Sequence, residues 1–252
     1  MSKLTSPGTY TPTILQGKLA LITGATGGIG QATTRLLASR GVSIAVHYFS
    51  SQAKADALVS EILANNPSIK AAAFQADLGD YDAVRRMHKQ IVETLGSPDI
   101  LYCNAAATGT IVGIKGKIQD VTVEEFEKVW RSNTASAFLL SQLCLPFMVE
   151  QAWGRVIFCS SIAAATGGVI GPHYASSKSA LHGIMHWIAN QYCRTGVTCN
   201  AVAPALITNT EMFKAPTTAH LDLIPMGRFG QPEEIAAVVE LLVTNSYMTN
   251  KV

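Results

Sequence analysis

An apolar run over 18–23 stops at Thr23-Gly-Ala-Thr26-Gly-Gly-Ile-Gly30, and helical spacing takes over across 29–40. A short strand that turns through glycines straight into a helix opens an α/β layer structure and constrains everything after it. The alternation continues with a strand over 42–48 and a helix over 52–64, then a strand over 70–75 and a helix over 80–95. Further apolar strands are expected at 100–103, 155–159 and 197–202, with helical segments at 123–151 and 174–195 between them. Strands joined through helices require right-handed crossovers, hence a parallel sheet wound on both faces. Ligands of such sheets gather at the carboxyl edge of the strands.

The chain has 252 residues, 48% of them hydrophobic, enough to bury a large core. No polar or Pro-rich stretch interrupts it, so one α/β domain over 17–252 is expected, preceded by a flexible arm over 1–16 that lacks the apolar centre of a signal peptide. With 19 basic and 17 acidic residues spread evenly, neither nucleic acid nor an anionic membrane is indicated as a partner. No apolar segment of about 20 residues exists to span a bilayer. Five cysteines without a CxxC pair (Cys103, Cys144, Cys159, Cys193, Cys199) read as free, buried thiols in a reducing compartment, and the cytoplasm is the expected location.

The glycine-rich turn is expected to hold a dinucleotide. Gly24, Gly28 and Gly30 remove the Cβ atoms that would block a tight turn or the approach of a pyrophosphate, and the helix N-terminus faces the anion. Thr26, Gly27 and Ile29 complete the cradle. No Lys-Ser/Thr pair follows the last glycine, which argues against a nucleoside-triphosphate loop. After the second strand, where a carboxylate often holds the adenosine ribose, the sequence reads His47-Tyr48-Phe49-Ser50-Ser51, with Lys54 the nearby cation. Tyr48, Ser50 and Ser51 without a carboxylate favour NADP(H) over NAD(H). Asp77, beyond the third strand, is expected either to accept from the adenine amine or to cap a helix.

Tyr174-Ala-Ser-Ser-Lys178 supplies proton chemistry. Residues four apart share a helix face, which puts an ammonium near a phenol and is expected to pull its pKa down from about 10. Ser161, at the end of an apolar run, would then hydrogen-bond a substrate oxygen. An oxygen that exchanges a proton while its carbon exchanges a hydride is the interconversion of alcohol and carbonyl.

Taken in order, TGATGGIG, Asp77 in "ADL", Asn104-Ala105-Ala106, Asn133, Ser161, Tyr174-x-x-x-Lys178 and Pro204 resemble the short-chain dehydrogenase/reductase family across nearly the whole chain. The resemblance implies a single-domain Rossmann fold whose doubly wound parallel sheet has about seven strands. It implies a catalytic tetrad of Asn133, Ser161, Tyr174 and Lys178, in which Tyr174 is the acid/base and Ser161 the partner of the substrate oxygen. Lys178 tunes Tyr174 and holds the nicotinamide ribose, and Asn133 supports a water linking Lys178 to solvent. The resemblance also assigns Leu78, Asn104 and Ala105 to the dinucleotide, together with Pro204, Ile207 and Thr210 at the carboxamide; Thr208 is eligible there, with Thr210 preferred. The helical segments 123–151 and 174–195 would pack between subunits of a homotetramer or homodimer. This sequence lacks the cation that many NADP-preferring members carry in the glycine turn, and it stops at Lys251-Val252, where those members continue into a last strand and an Asp-Gly-Gly turn.

The segment Ile224 to Ala236 resembles β-ketoacyl carrier-protein reductases and sugar or polyol dehydrogenases. The expected substrate walls, 163–172 and a lid over 206–226, are apolar and small, with Glu211, Lys214 and Asp222 their few charges. A 3-oxoacyl-thioester or related ketone reductase is therefore expected, with a sugar, polyol or steroid-type alcohol dehydrogenase as the alternative. A non-catalytic dinucleotide-binding sensor or scaffold is the reading from another class. His182 and His186 have a metal ligand spacing but no intervening Glu or third ligand, so no metal is expected. His173 could line the pocket or sit in a loop. Trp130, Trp153 and Trp187 read as packing residues, and Cys159 as a buried strand residue.

Overall fold

The computed structural model describes residues 13–113, 115–213, 221 and 224–252. Six strands form one sheet in the order β3-β2-β1-β4-β5-β6, all neighbours parallel. They are β1 (Leu19–Ile22), β2 (Ser43–Tyr48), β3 (Ala71–Gln75), β4 (Ile100–Cys103), β5 (Gly154–Cys159) and β6 (Val197–Val202). The strand order reverses between β1 and β4, and the crevice beyond their carboxyl ends is where an open α/β sheet takes a ligand. Where about seven strands were expected, the described residues hold six. Residues 250 and 251 do run beside β6, through Asn250 N–H to the Cys199 carbonyl and Ala201 N–H to the Lys251 carbonyl, but two backbone bonds make no ladder.

Helices cover both faces. On one side α3 (Tyr81–Thr94), α5 (Ser136–Glu150) and α7 (Pro172–Tyr192) bury Met87, Ile91, Leu140, Leu181 and Met185 against Leu21, Leu101, Val156 and Cys199. On the other, α1 (Gly28–Ser39), α2 (Gln52–Asn65) and α8 (Pro232–Thr244) bury Leu37, Leu58, Ile62, Val239 and Leu242 against Ile22, Ile44 and Ile157. The central strands feed side chains to both layers in alternation, which is why β1 (LALI) and β4 (ILYC) read as continuously apolar.

The helix expected over 123–151 is three pieces: α4 (Val123–Trp130), a π-helical turn (Arg131–Ala135) and α5. The wide turn centres on Asn133, whose side chain is drawn out of the helix by partners elsewhere in the fold. A short α6 (Ala163–Thr166) precedes α7. Of the arm expected over 1–16, residues 1–12 lie outside the described residues, whereas Leu15 is buried in the core and accepts from Lys18 N–H. The last residues of that arm therefore belong to the fold. At the opposite edge of the sheet from the ligand crevice, Trp153 lies between the Lys18 ammonium and the buried Arg155 guanidinium, each 4.3 Å from the ring centroid. No helix among the described residues is long and apolar enough to cross a membrane.

Candidate active site

The glycine turn is held from two strands. Gly24 takes a left-handed φ of +60° and its Cα faces Ala105 so closely that a Cβ would lie 2.9 Å from the Ala105 Cα. Asn104 donates from Nδ2 to the carbonyls of Thr23 and Gly24, at 3.0 and 3.1 Å. Thr23 returns the tie, its buried Oγ1 accepting from the amides of Asn104 and Ala105. A Cβ on Gly30 would come within 2.4 Å of the Gly24 carbonyl oxygen, and one on Gly28 within 2.2 Å of the Asn209 carbonyl oxygen. Helix α1 starts at Gly28 with no side chain capping its first amides, so those donors face the crevice. The Thr26 carbonyl accepts from Gln31 Nε2, which braces the turn from the helix side.

Tyr48 ends β2 and is buried, while Ser50 is exposed beyond it. Ser51 occupies the N-cap position of α2 but makes no capping hydrogen bond, which leaves its hydroxyl for other partners. Lys54 pairs with Glu211 of the lid at 2.9 Å, an exposed contact that joins the β2–α2 corner to the loop after β6. Asp77 is exposed and accepts from Gly79 N–H in a local turn; the cap of α3 is Asp80, which accepts from the amides of Asp82 and Ala83. The capping role considered for Asp77 thus falls to its neighbour one turn on. Leu78 is buried against the core beside it.

Tyr174 and Lys178 lie on the first turns of α7 and both are nearly sealed from solvent, at 4% and 2% exposed. The Lys178 ammonium is 5.7 Å from the Tyr174 ring centroid, but its hydrogen bond goes to the Cys159 carbonyl at 2.6 Å. Burial pushes the Tyr174 phenol up to about 12, with Cys159 adding to the rise and the nearby Ser161 hydroxyl opposing it. Burial also lowers Lys178 from the usual ammonium range. The depressed phenol expected from the four-residue spacing is therefore not what these residues produce by themselves: desolvation outweighs a cation that is aimed elsewhere. Ser161 Oγ also accepts from Ala163 N–H, which fixes it at the start of α6.

The Asn133 side chain makes three hydrogen bonds to neighbouring elements. Its Oδ1 accepts from Ala107 N–H at 2.7 Å and its Nδ2 donates to the Ala107 carbonyl and to Ser177 Oγ. These bonds tie the π turn to the loop after β4 and to α7, one residue before Lys178. Ser177 carries no signal in the sequence, because a serine inside a helix shows its partner only in the fold.

Beyond β6, Pro204 accepts from Ile162 N–H, which brings the loop beside Ser161. Ile207 is buried and bridges to Gly230. Thr208 is drawn toward the start of α8 by Gly230 and Gln231, whereas the Thr210 methyl reaches the glycine turn, 3.2 Å from where a Cβ on Gly28 would stand. Met212 closes over Tyr174, its sulfur 3.7 Å from the Tyr174 hydroxyl. A hollow of about 270 Å³ opens behind this loop, lined by Leu206, Ile207, Ile224 and Met226 together with the ion-paired Arg228 and Glu234. Of the lid expected over 206–226, residues 214–220, 222 and 223 lie outside the described residues, and with them Lys214 and Asp222.

His173 is buried and its Nε2 lies 2.8 Å from the Thr108 carbonyl. His182 binds Ser160, and His186 binds Asn250. Among the described residues no three His, Cys, Asp or Glu side chains gather as a metal site would. Four cysteines are buried thiols as expected, but Cys193 is exposed, because the chain leaves α7 there in a tight turn at the surface. Burial drives the Cys144 thiol up to about 12 and Cys103 and Cys199 upward as well.

Residues 18–220 match the sequence profile of the short chain dehydrogenase family. The chain is 33% identical over 242 residues to a 3-oxoacyl-[acyl-carrier-protein] reductase of Synechocystis sp., covering 95% of each. A reductase of the same name from Aquifex aeolicus is 34% identical, over 94% of this chain and 95% of its own. A versicolorin reductase of Emericella nidulans is 35% identical over 251 residues, 92% of this chain and 90% of its own.

Proposed function

The chain belongs to the short-chain dehydrogenase family, oxidoreductases acting between C=O and CH–OH groups, and from that premise we propose that it reduces a 3-oxoacyl thioester with NADP(H). The observation that carries this reading is Tyr174, buried at the carboxyl edge of the sheet with its hydroxyl between Ser161 and an apolar lid residue.

The residues present suit a dinucleotide: a glycine turn where added Cβ atoms would strike backbone, and a helix N-terminus whose amides no side chain caps. Gly24, Thr26, Gly27, Gly28, Ile29 and Gly30 would hold its pyrophosphate, Asp77 and Leu78 its adenine, and Asn104 and Ala105 would back the turn. Pro204, Ile207 and Thr210 would hold the carboxamide. Tyr48, Ser50 and Ser51, with no carboxylate among them, favour a 2′-phosphate, hence NADP(H) over NAD(H). When bound, the nicotinamide supplies a hydride to the carbonyl carbon.

The protein's own part is the proton. Ser161 orients the carbonyl oxygen by hydrogen bonding, and the Tyr174 hydroxyl gives that oxygen its proton as negative charge develops there. A phenol held near 12 is protonated at neutral pH, the form that reduction needs. Oxidation needs the phenolate, which burial opposes. Lys178 holds a charge close to the phenol and limits the build-up of phenolate energy once the proton leaves. The lid side chains Leu206, Ile207, Met212 and Met226 suit an acyl chain better than a sugar. The similarity to the versicolorin reductase favours a second reading, in which a compound like versicolorin is reduced at the same site.

The half-exposed Phe138 on α5 and Trp187 on α7 support a homotetramer or homodimer through those helices. Free thiols support a cytoplasmic setting.

The test is oxidation of NADPH and NADH against 3-oxoacyl thioesters, versicolorin-like ketones, sugars and steroids, with Tyr174→Phe beside the wild type. Tyr174→Phe is expected to lower kcat by roughly 100- to 10,000-fold while dinucleotide affinity holds. Wild-type turnover in that variant would end the assignment of Tyr174. A wild type that binds dinucleotide but reduces nothing on the panel would favour a sensor or scaffold.

A further inference from the structure

His47 is 1% exposed inside β2, on the same face as Ala45. Its two ring nitrogens both meet backbone: Gly24 N–H donates to Nδ1 at 2.9 Å, and Nε2 lies 3.1 Å from the Ala76 carbonyl. A carbonyl can only accept, so Nε2 carries the hydrogen and Nδ1 is the acceptor for Gly24. One neutral tautomer satisfies both partners, and the protonated ring satisfies only one.

What the ring holds is the first glycine of the turn. Gly24 stands at φ +60°, its amide fixed by His47 and its carbonyl by Asn104. That carbonyl in turn accepts from Gly27 N–H at 3.1 Å and sits against Gly30, where a Cβ would come within 2.4 Å. Rotating the Gly24 peptide would therefore move the start of α1. Ala25 N–H donates to the His47 carbonyl as well, so a single residue of β2 anchors two consecutive peptides of the turn.

We propose that His47 is a positioning residue for the dinucleotide: through Nδ1 it locks the Gly24 peptide and so pre-aligns the uncapped amides of α1 with the pyrophosphate. This rests on the dinucleotide reading above. His47 needs no contact with the ligand. Its acceptor nitrogen, rather than its bulk, is the part that matters.

Two near-isosteric variants separate acceptor from bulk. His47→Asn puts a side-chain oxygen where Nδ1 stands and gives up the bond to Ala76; His47→Gln can reach Ala76 with an amide but offers Gly24 nothing. The measurements are the Kd for NADPH by fluorescence titration, KM for NADPH and kcat with a 3-oxoacyl thioester, and thermal stability. His47→Gln is expected to raise Kd and KM for NADPH roughly tenfold with kcat within about threefold, as loss of one buried acceptor implies. His47→Asn is expected to stay within about twofold of wild type on both.

Equal NADPH affinity in the two variants would overturn the proposal. So would a pattern in which both lose thermal stability while KM for NADPH is unchanged, since that is what a residue serving only the core would show. If the wild type binds neither NADPH nor NADH, the dinucleotide reading itself fails, a result distinct from either.

Discussion

The sulfur of Met212 lies 3.7 Å from the hydroxyl of Tyr174, so the loop after β6 covers the phenol proposed as the proton donor. Met212 is itself 43% exposed, and a thioether adapts readily to what it touches. Met212→Ala should therefore change stability by no more than about 1 kcal/mol. It uncovers the phenol, and because burial is the largest cause of its raised pKa, that pKa falls. Reduction needs the protonated phenol, so the alkaline limb of the pH–rate profile should move to lower pH in the variant. A profile identical to wild type, with unaltered KM across an acyl chain-length series, would show that Met212 does not face the reaction.

Lys178 is a buried ammonium whose hydrogen bond runs to a neutral carbonyl. A charge held that way costs folding energy that an apolar side chain of similar length does not. Lys178→Met is expected to leave stability unchanged or raise it by about 1 kcal/mol or more, and to cut kcat by about 100-fold or more. Chemical denaturation paired with steady-state kinetics checks both at once. A variant much less stable than wild type would show that the ammonium is a net structural asset.

His47 links folding to pH. Burial lowers it from 6.5 to about 4, so the unfolded chain binds a proton that the folded protein does not between those values. Stability from this group is fully present above pH 6.5 and is lost as pH falls through the window toward 4. The difference is about 3 kcal/mol. Subtracting the pH dependence of His47→Asn from that of wild type isolates it, and parallel curves for the two proteins would refute the assignment.

Gly30 has no room for a methyl group: its Cβ would meet the Gly24 oxygen at 2.4 Å and the Ala25 Cα at 2.8 Å, both backbone. Gly30→Ala should destabilise the fold by about 1–3 kcal/mol and weaken dinucleotide binding more than tenfold, because the turn must open to admit it. Isothermal titration with NADPH beside a thermal melt decides this, and undiminished binding would mean the turn relaxes at no cost to the cradle.

The strand–glycine–helix alternation was legible residue by residue, because apolar runs, glycine turns and helical spacing are local properties. Tyr174 and Lys178 could be placed on one helix face for the same reason. What could not be read is where long side chains finally point. Lys178 reaches Cys159 rather than Tyr174, since α7 packs along β6 and brings its ammonium to the carbonyl at the end of neighbouring β5. The helix break at Asn133 required its partner Ala107, 26 positions away. The region after Ile224 showed only a resemblance; its helix α8 is fixed by burial of Val239 and Leu242 under the sheet.

The β2 histidine marks the division most clearly. The sequence by itself determined a polar residue at the end of an apolar strand and a glycine turn at the end of another. Only the register of β1 beside β2, with Ile22 opposite Val46, brings Gly24 within a hydrogen bond of His47. Hydrogen bonds between residues distant in the chain depend on which strands become neighbours. That choice is made by burial of the whole sheet between its two helix layers, so no local pattern contains it.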